Sequence, residues 1–147
     1  MVNKRLLQTS PTNINQIVAF HALMSSNTPD ITAEHTLRFD MVKTNIGNGY
    51  HPATGVFIVP VTGVYVFTWT IREDVHNYHT TQLMKNTEAV DVVHLSPNGR
   101  IGEVTGIAVF MANEGDDVFV ETYTQFNAGY ISSYPAGRSS FSGWKLA

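Results

Sequence analysis

Gly63-Val-Tyr-Val-Phe-Thr-Trp-Thr-Ile71 is the stretch on which the fold turns. Tyr65, Phe67, Trp69 and Ile71 share one parity, and Val64, Val66, Thr68 and Thr70 share the other. Successive side chains of a β-strand point to opposite faces, so this alternation predicts a strand with one strongly aromatic face. The second face is β-branched and half apolar, which suits a strand inside a sandwich or at a subunit contact. Just upstream, Gly55-Val-Phe-Ile-Val-Pro60 is a second apolar run, and Pro60 to Gly63 makes a tight connection. Gly63 is expected to let the chain turn into the long strand.

Working outward, Ile17 to Leu23 reads as a strand closed by the turn residues Ser25 to Asp30. Further strands are expected at Thr36 to Phe39, Thr81 to Lys85, Glu88 to Leu95, Thr105 to Ala112, Asp117 to Thr124 and Ser140 to Leu146. Gly47-Asn-Gly49, Ser96-Pro-Asn-Gly99, Asn113 to Asp117 and Pro135-Ala-Gly137 supply turns between many of them. No segment keeps a 3.6-residue pattern. Many short strands with Gly and Pro turns predict an all-β sandwich or jelly roll rather than a parallel α/β sheet.

The chain has 147 residues and no cysteine. That length is enough for one domain with its own core, and the missing thiols exclude disulfides, thiolate nucleophiles and cysteine zinc sites. Lys and Arg number 9 against 12 Asp and Glu, a formal net charge of −3. A basic nucleic-acid footprint is therefore not expected, and no apolar run is long enough for a membrane span. Residues 1 to 16 are polar, with only Leu6 and Leu7 as an apolar pair, and read as a lead-in without a signal-peptide core. The domain proper is placed at residues 17 to 147.

Phe39, Asn45, Tyr50, Phe57, Gly63, Tyr65, Phe67 and Trp69 together resemble the signature of the complement C1q globular-head family, within the larger C1q and tumour necrosis factor-like group. Trp69 departs from it, since Phe or Tyr is usual there, but keeps a large ring. Val18-Ala-Phe20, Leu83 to Asn86, Gly115 to Val118 and Phe141-Ser-Gly-Trp144 are similar to other strands and turns of the family. The resemblance implies a ten-stranded jelly-roll β-sandwich, assembly as a homotrimer, and a secreted, extracellular location. A shortage of polar cover on strands such as Val64 to Thr70 and Ile107 to Ala112 is an independent hint of assembly.

Two stretches are candidates for ligand contact. His76, Asn77, Tyr78 and His79 have a spacing that could hold a metal on a helix turn. Their surroundings, Arg72 to Thr80, look like a polar loop, so no metal is assigned and contact with a ligand is the expectation. In Asn127 to Arg138, Tyr130 and Tyr134 could stack on a sugar ring while Asn127, Ser133 and Arg138 bond hydroxyls or an acidic group. The simpler reading is a connection whose tyrosines anchor it to the sheet. Family members often hold calcium near the three-fold axis, where this chain has Gly102 and Glu103. Three glutamates around an axis would repel without a cation, a proton or an Arg partner, for which Arg100 is near in sequence. No calcium or other cofactor is assigned.

No nucleophile elbow, phosphate loop or HExxH motif is present, so no catalytic residue is expected. The resemblance implies a non-enzymatic, lectin-like pattern-recognition protein of innate immunity, binding carbohydrate or microbial surface ligands through a multivalent head. Its rival is a protein-binding trimeric head, a cytokine-like receptor ligand or a structural assembly module.

Overall fold

The computed structural model describes residues 17–147 and builds them from ten strands. They are β1 (Ala19–Leu23), β2 (Met41–Ile46), β3 (Tyr50–His51), β4 (Val56–Ile58), β5 (Gly63–Glu73), β6 (His79–Lys85), β7 (Glu88–Leu95), β8 (Gly102–Ala112), β9 (Asp117–Thr122) and β10 (Ser140–Lys145). One sheet has the order β2-β1-β10-β5-β8 and the other β3-β4-β9-β6-β7, with antiparallel neighbours throughout. This is an all-β jelly-roll sandwich. The lead-in expected at residues 1 to 16 lies outside the described residues.

The alternation of β5 explains the core. Tyr65, Phe67, Trp69 and Ile71 all point between the sheets and are essentially without exposure. Phe57 comes from the opposite sheet and meets Phe67 edge-on at 5.7 Å, while Phe20 lies stacked on Phe57 at 4.6 Å. Both edge-on and stacked offsets suit the ring quadrupoles, so the interior combines them. Trp69 donates its indole N–H to Thr81 Oγ1 across the sandwich at 3.0 Å, so the larger ring is accommodated with its one polar atom paired.

The spaced motif also has a local logic. Tyr50 donates its hydroxyl to Phe39 O at 2.7 Å and accepts from Phe39 N at 3.1 Å. Asn45 accepts from Tyr50 N and donates to Tyr50 O, an amide side chain standing in for a strand neighbour. Burial raises the Tyr50 hydroxyl pKa far above its usual range.

Some expectations are revised. Gly63 takes no left-handed conformation; a Cβ there would lie 2.5 Å from Ala147 O and 2.6 Å from Lys145 Cε, so close approach of the chain end requires it. Thr36 to Phe39 forms no strand of its own. It joins β9 through a bridge between Thr36 and Glu121 and then drops Phe39 into the core. Strands β2 and β3 are not among the expected ones: no residue of β2 is fully buried, so it carries no hydrophobic alternation to read.

Outward from β10, β5 and β8, the sheet aligns Trp144, Val66 and Val109 in one cross-strand row. Val109 and its neighbours Ile107 and Met111 are more than half exposed.

Candidate functional site

One end of the sandwich brings the two candidate stretches together. The β5–β6 turn and the β9–β10 connection exchange backbone hydrogen bonds: Tyr78 N donates to Ala128 O at 3.1 Å, and Ala128 N to Tyr78 O at 2.7 Å. Further along, Ser132 N donates to Arg72 O at 2.9 Å. The long connection is thereby fastened to the ends of both β6 and β5.

Beneath this clasp, His79 Nδ1 lies 2.5 Å from Glu73 Oε1, and both side chains are wholly buried. His79 Nε2 is 3.2 Å from Gly129 O, an atom that can only accept, so Nε2 carries a hydrogen and a second proton is shared between Nδ1 and the carboxylate. Burial pushes the Glu73 carboxyl above its ordinary pKa, against the pull of the His79 hydrogen bond. Oε2 of Glu73 has no partner among the described residues. The expectation that His79 meets a ligand is corrected here: it opens β6 and holds the clasp from inside.

The tyrosines act similarly. Tyr130 donates to Asp74 Oδ2 at 2.7 Å, which raises its hydroxyl pKa. Tyr134 lies under the Arg72 guanidinium, 4.6 Å from ring centre to Cζ, and accepts from Arg72 Nη2 at 2.5 Å. A Cβ on Gly137 would collide with Arg72 Nη1, so glycine makes room for this stack. Arg72 also donates to Glu103 Oε1 at 3.0 Å, and so Arg72, not Arg100, is the partner of the acidic group on β8.

Ser133 is buried and donates to Met24 O at 2.6 Å; this corrects its reading as a ligand contact. Arg138 donates to Met24 O and Ser25 O at 3.1 and 2.7 Å. Asn127 accepts from Thr80 N and donates to Tyr123 O. Of the expected site, His76 and Tyr78 stand exposed, with Asn77 half-buried between them. Among the described residues no three His, Asp or Glu side chains gather as a metal site.

Reading the sequence misses a groove of about 620 Å³ beside Tyr78, across β6, β7 and the loop after β9. Thr80 and Gln82 form its floor, and Val92, His94, Tyr123 and Phe126 its walls. A lone ring, Phe126, set among the polar residues between Gln125 and Asn127, is the available signal. A second cleft of about 400 Å³, more polar, lies between Met24 to Pro29 and His35 to Asp40.

The site is thus one end of a two-sheet jelly roll whose loops are fastened together by polar side chains. The comparisons then give the family. The C1q domain family model matches residues 19–146, and the chain belongs to that family. It is 30% identical to a human complement C1q subcomponent over 134 residues, covering 89% of this chain and 51% of that protein. It is 31% identical to zebrafish (Danio rerio) caprin-2, covering 88% of this chain and 14% of that one. The chain thus spans about half, or much less, of these relatives. Among solved structures, the globular domain of zebrafish complement 1qA matches with a TM-score of 0.66 at 20% identity, covering 88% of this chain and 98% of that one. Murine APRIL matches at 0.61 and 18% identity, covering 88% and 99%. These two establish the shared fold.

Proposed function

We propose that this chain is a secreted, homotrimeric recognition head of innate immunity that binds carbohydrate on microbial surfaces. The observation that carries the assembly is the outward face of β10, β5 and β8. Trp144, Val66 and Val109 continue across three strands, flanked by Ile107 at 62% and Met111 at 53% exposure. A monomer gains nothing by holding such a face in water, whereas three copies packed on it remove it from solvent. Assembly in turn makes recognition multivalent: three weak sites on one rigid head raise affinity by roughly 10²-fold where geometry permits.

The ligand surface in this reading is the clasped end. There His76 and Tyr78 project, with Asn77 half-buried between them, from a frame held by Arg72, His79, Tyr130 and Tyr134. Rigid framing lowers the ordering cost of a weak contact.

Sedimentation and a glycan array, run with calcium and again with chelator, test both halves. A trimer that binds one sugar class is the expected result. A monomer at micromolar concentration overturns the assembly, and a blank array from a confirmed trimer overturns the carbohydrate reading in favour of a protein partner.

A further inference from the structure

The groove beside Tyr78 carries a more specific reading, which rests on the carbohydrate function proposed above. We infer that it binds an uncharged pyranose segment of a glycan and discriminates against sulfated or carboxylated sugars.

Its walls are rings and an aliphatic chain held in water. Phe126 is 63% exposed, Val92 46%, Tyr123 39% and, next to the groove, Tyr78 37%. His94 lies between two of these rings, 6.5 Å edge-on from Phe126 and 6.4 Å from Tyr78. Such a surface suits the C–H face of a pyranose, which stacks on aromatic rings without needing charge.

Phe126 is also held there against its backbone preference. Its φ of 63° lies in the left-handed region, which costs a bulky residue of this kind. Three hydrogen bonds fix the arch that presents it: Thr80 Oγ1 donates to Phe126 O, Asn127 Nδ2 to Tyr123 O, and Thr80 N to Asn127 Oδ1. An arch built this firmly around a strained, solvent-facing ring is better explained by contact than by packing.

The polar groups of the groove both accept and donate, and the charged group bonded to them is the Glu121 carboxylate. Thr80 Oγ1 lies 2.8 Å from His94 Nδ1 and 3.3 Å from Phe126 O; when its hydroxyl hydrogen goes to Phe126 O, the histidine donates the shorter contact. In that neutral tautomer Nε2 is left as an acceptor. Gln82 donates to Glu121 Oε1 at 2.8 Å, and no further hydrogen bond of its amide is found among the described residues. An imidazole nitrogen, an amide oxygen and a neighbouring carboxylate match the hydroxyl donors of a sugar and repel a sulfate or carboxylate. No Lys or Arg lines the groove to offset that repulsion.

The test uses the full chain in its native assembly and three neutral polymers, dextran, laminarin and galactomannan, each paired with its sulfated derivative. At least one neutral polymer is expected to bind, with its sulfated form at least about tenfold weaker. Phe126→Gly should weaken that binding at least about tenfold while the melting temperature holds or rises, because glycine accepts a positive φ without strain. A ring kept for packing would lose stability instead. Val92→Arg, at an exposed position, should shift preference toward the sulfated polymer.

Unchanged binding in Phe126→Gly and Val92→Arg, or a wild-type preference for the sulfated polymers, overturns the groove and leaves carbohydrate recognition standing. Binding lost only on replacing His76 or Tyr78 moves the site to the clasp, with the same consequence. If none of the six polymers binds, the carbohydrate reading falls and this inference with it.

Discussion

The aromatic interior and the clasped end are held together by opposite means. Between the sheets, Phe20, Phe57, Tyr65, Phe67 and Phe141 contribute ring area with few polar demands, and the dispersion they gain is spread over many neighbours. At the clasp, Glu73, His79, Tyr130, Arg72 and Tyr134 contribute directional bonds, each with one or two partners. Area tolerates small shifts; a buried hydrogen bond does not. The core should therefore govern global stability, and the clasp should govern whether one end of the sandwich keeps its shape.

The sharpest blow to this contrast would come from Phe67→Ala. Phe67 is fully buried against Phe57, Phe110 and Tyr65, and the truncation should cost about 3 to 5 kcal/mol in denaturant melts. A melt equal to wild type would remove the core from its assigned role. His79→Ala comes next, at about 3 kcal/mol, since it leaves Glu73 buried beside an empty space. Hydrogen exchange should then quicken first in residues 126 to 134; uniform quickening would make the clasp part of the core.

Trp69→Phe probes the one polar link inside the aromatic layer. It leaves Thr81 Oγ1 without its donor and should cost about 1 to 2 kcal/mol. A neutral result would show that ring area alone decides this position.

The smallest effect is on pH dependence. Burial raises the Glu73 pKa, so the folded chain holds that proton more tightly than the unfolded chain. The resulting stability is complete below the ordinary carboxylate range and is lost as pH rises through the raised value. Glu73→Gln should flatten that decline. Parallel wild-type and variant curves would place the clasp's proton elsewhere.

The same contrast explains what could be read from sequence. Tyr65, Phe67 and Trp69 announce a strand because burial on one face imprints a period of two, and Phe39, Asn45 and Tyr50 announce a local structure because their partners lie within a dozen positions. The clasp joins residues such as His79 and Gly129, or Asp74 and Tyr130, that are fifty or more positions apart. His79 sits in a polar neighbourhood, and nothing local distinguishes a solvated histidine from one facing a buried carboxylate. Ser133 is opaque for the same reason, its partner being Met24 O. The groove draws on β6, β7 and the loop after β9, so only Phe126 hints at it.

The chain's two tryptophans sit on either side of one sheet. Trp69 is sealed between the sheets, and Trp144 is 42% exposed in the outward apolar row. They amount to a pair of built-in fluorophores reporting separate events. In the trimer proposed above, diluting the protein until subunits part should red-shift Trp144 and open it to iodide quenching, while Trp69 stays blue until the sandwich itself unfolds. Replacing either ring by Phe assigns the signals, so dissociation and unfolding can be followed in one cuvette without any added label.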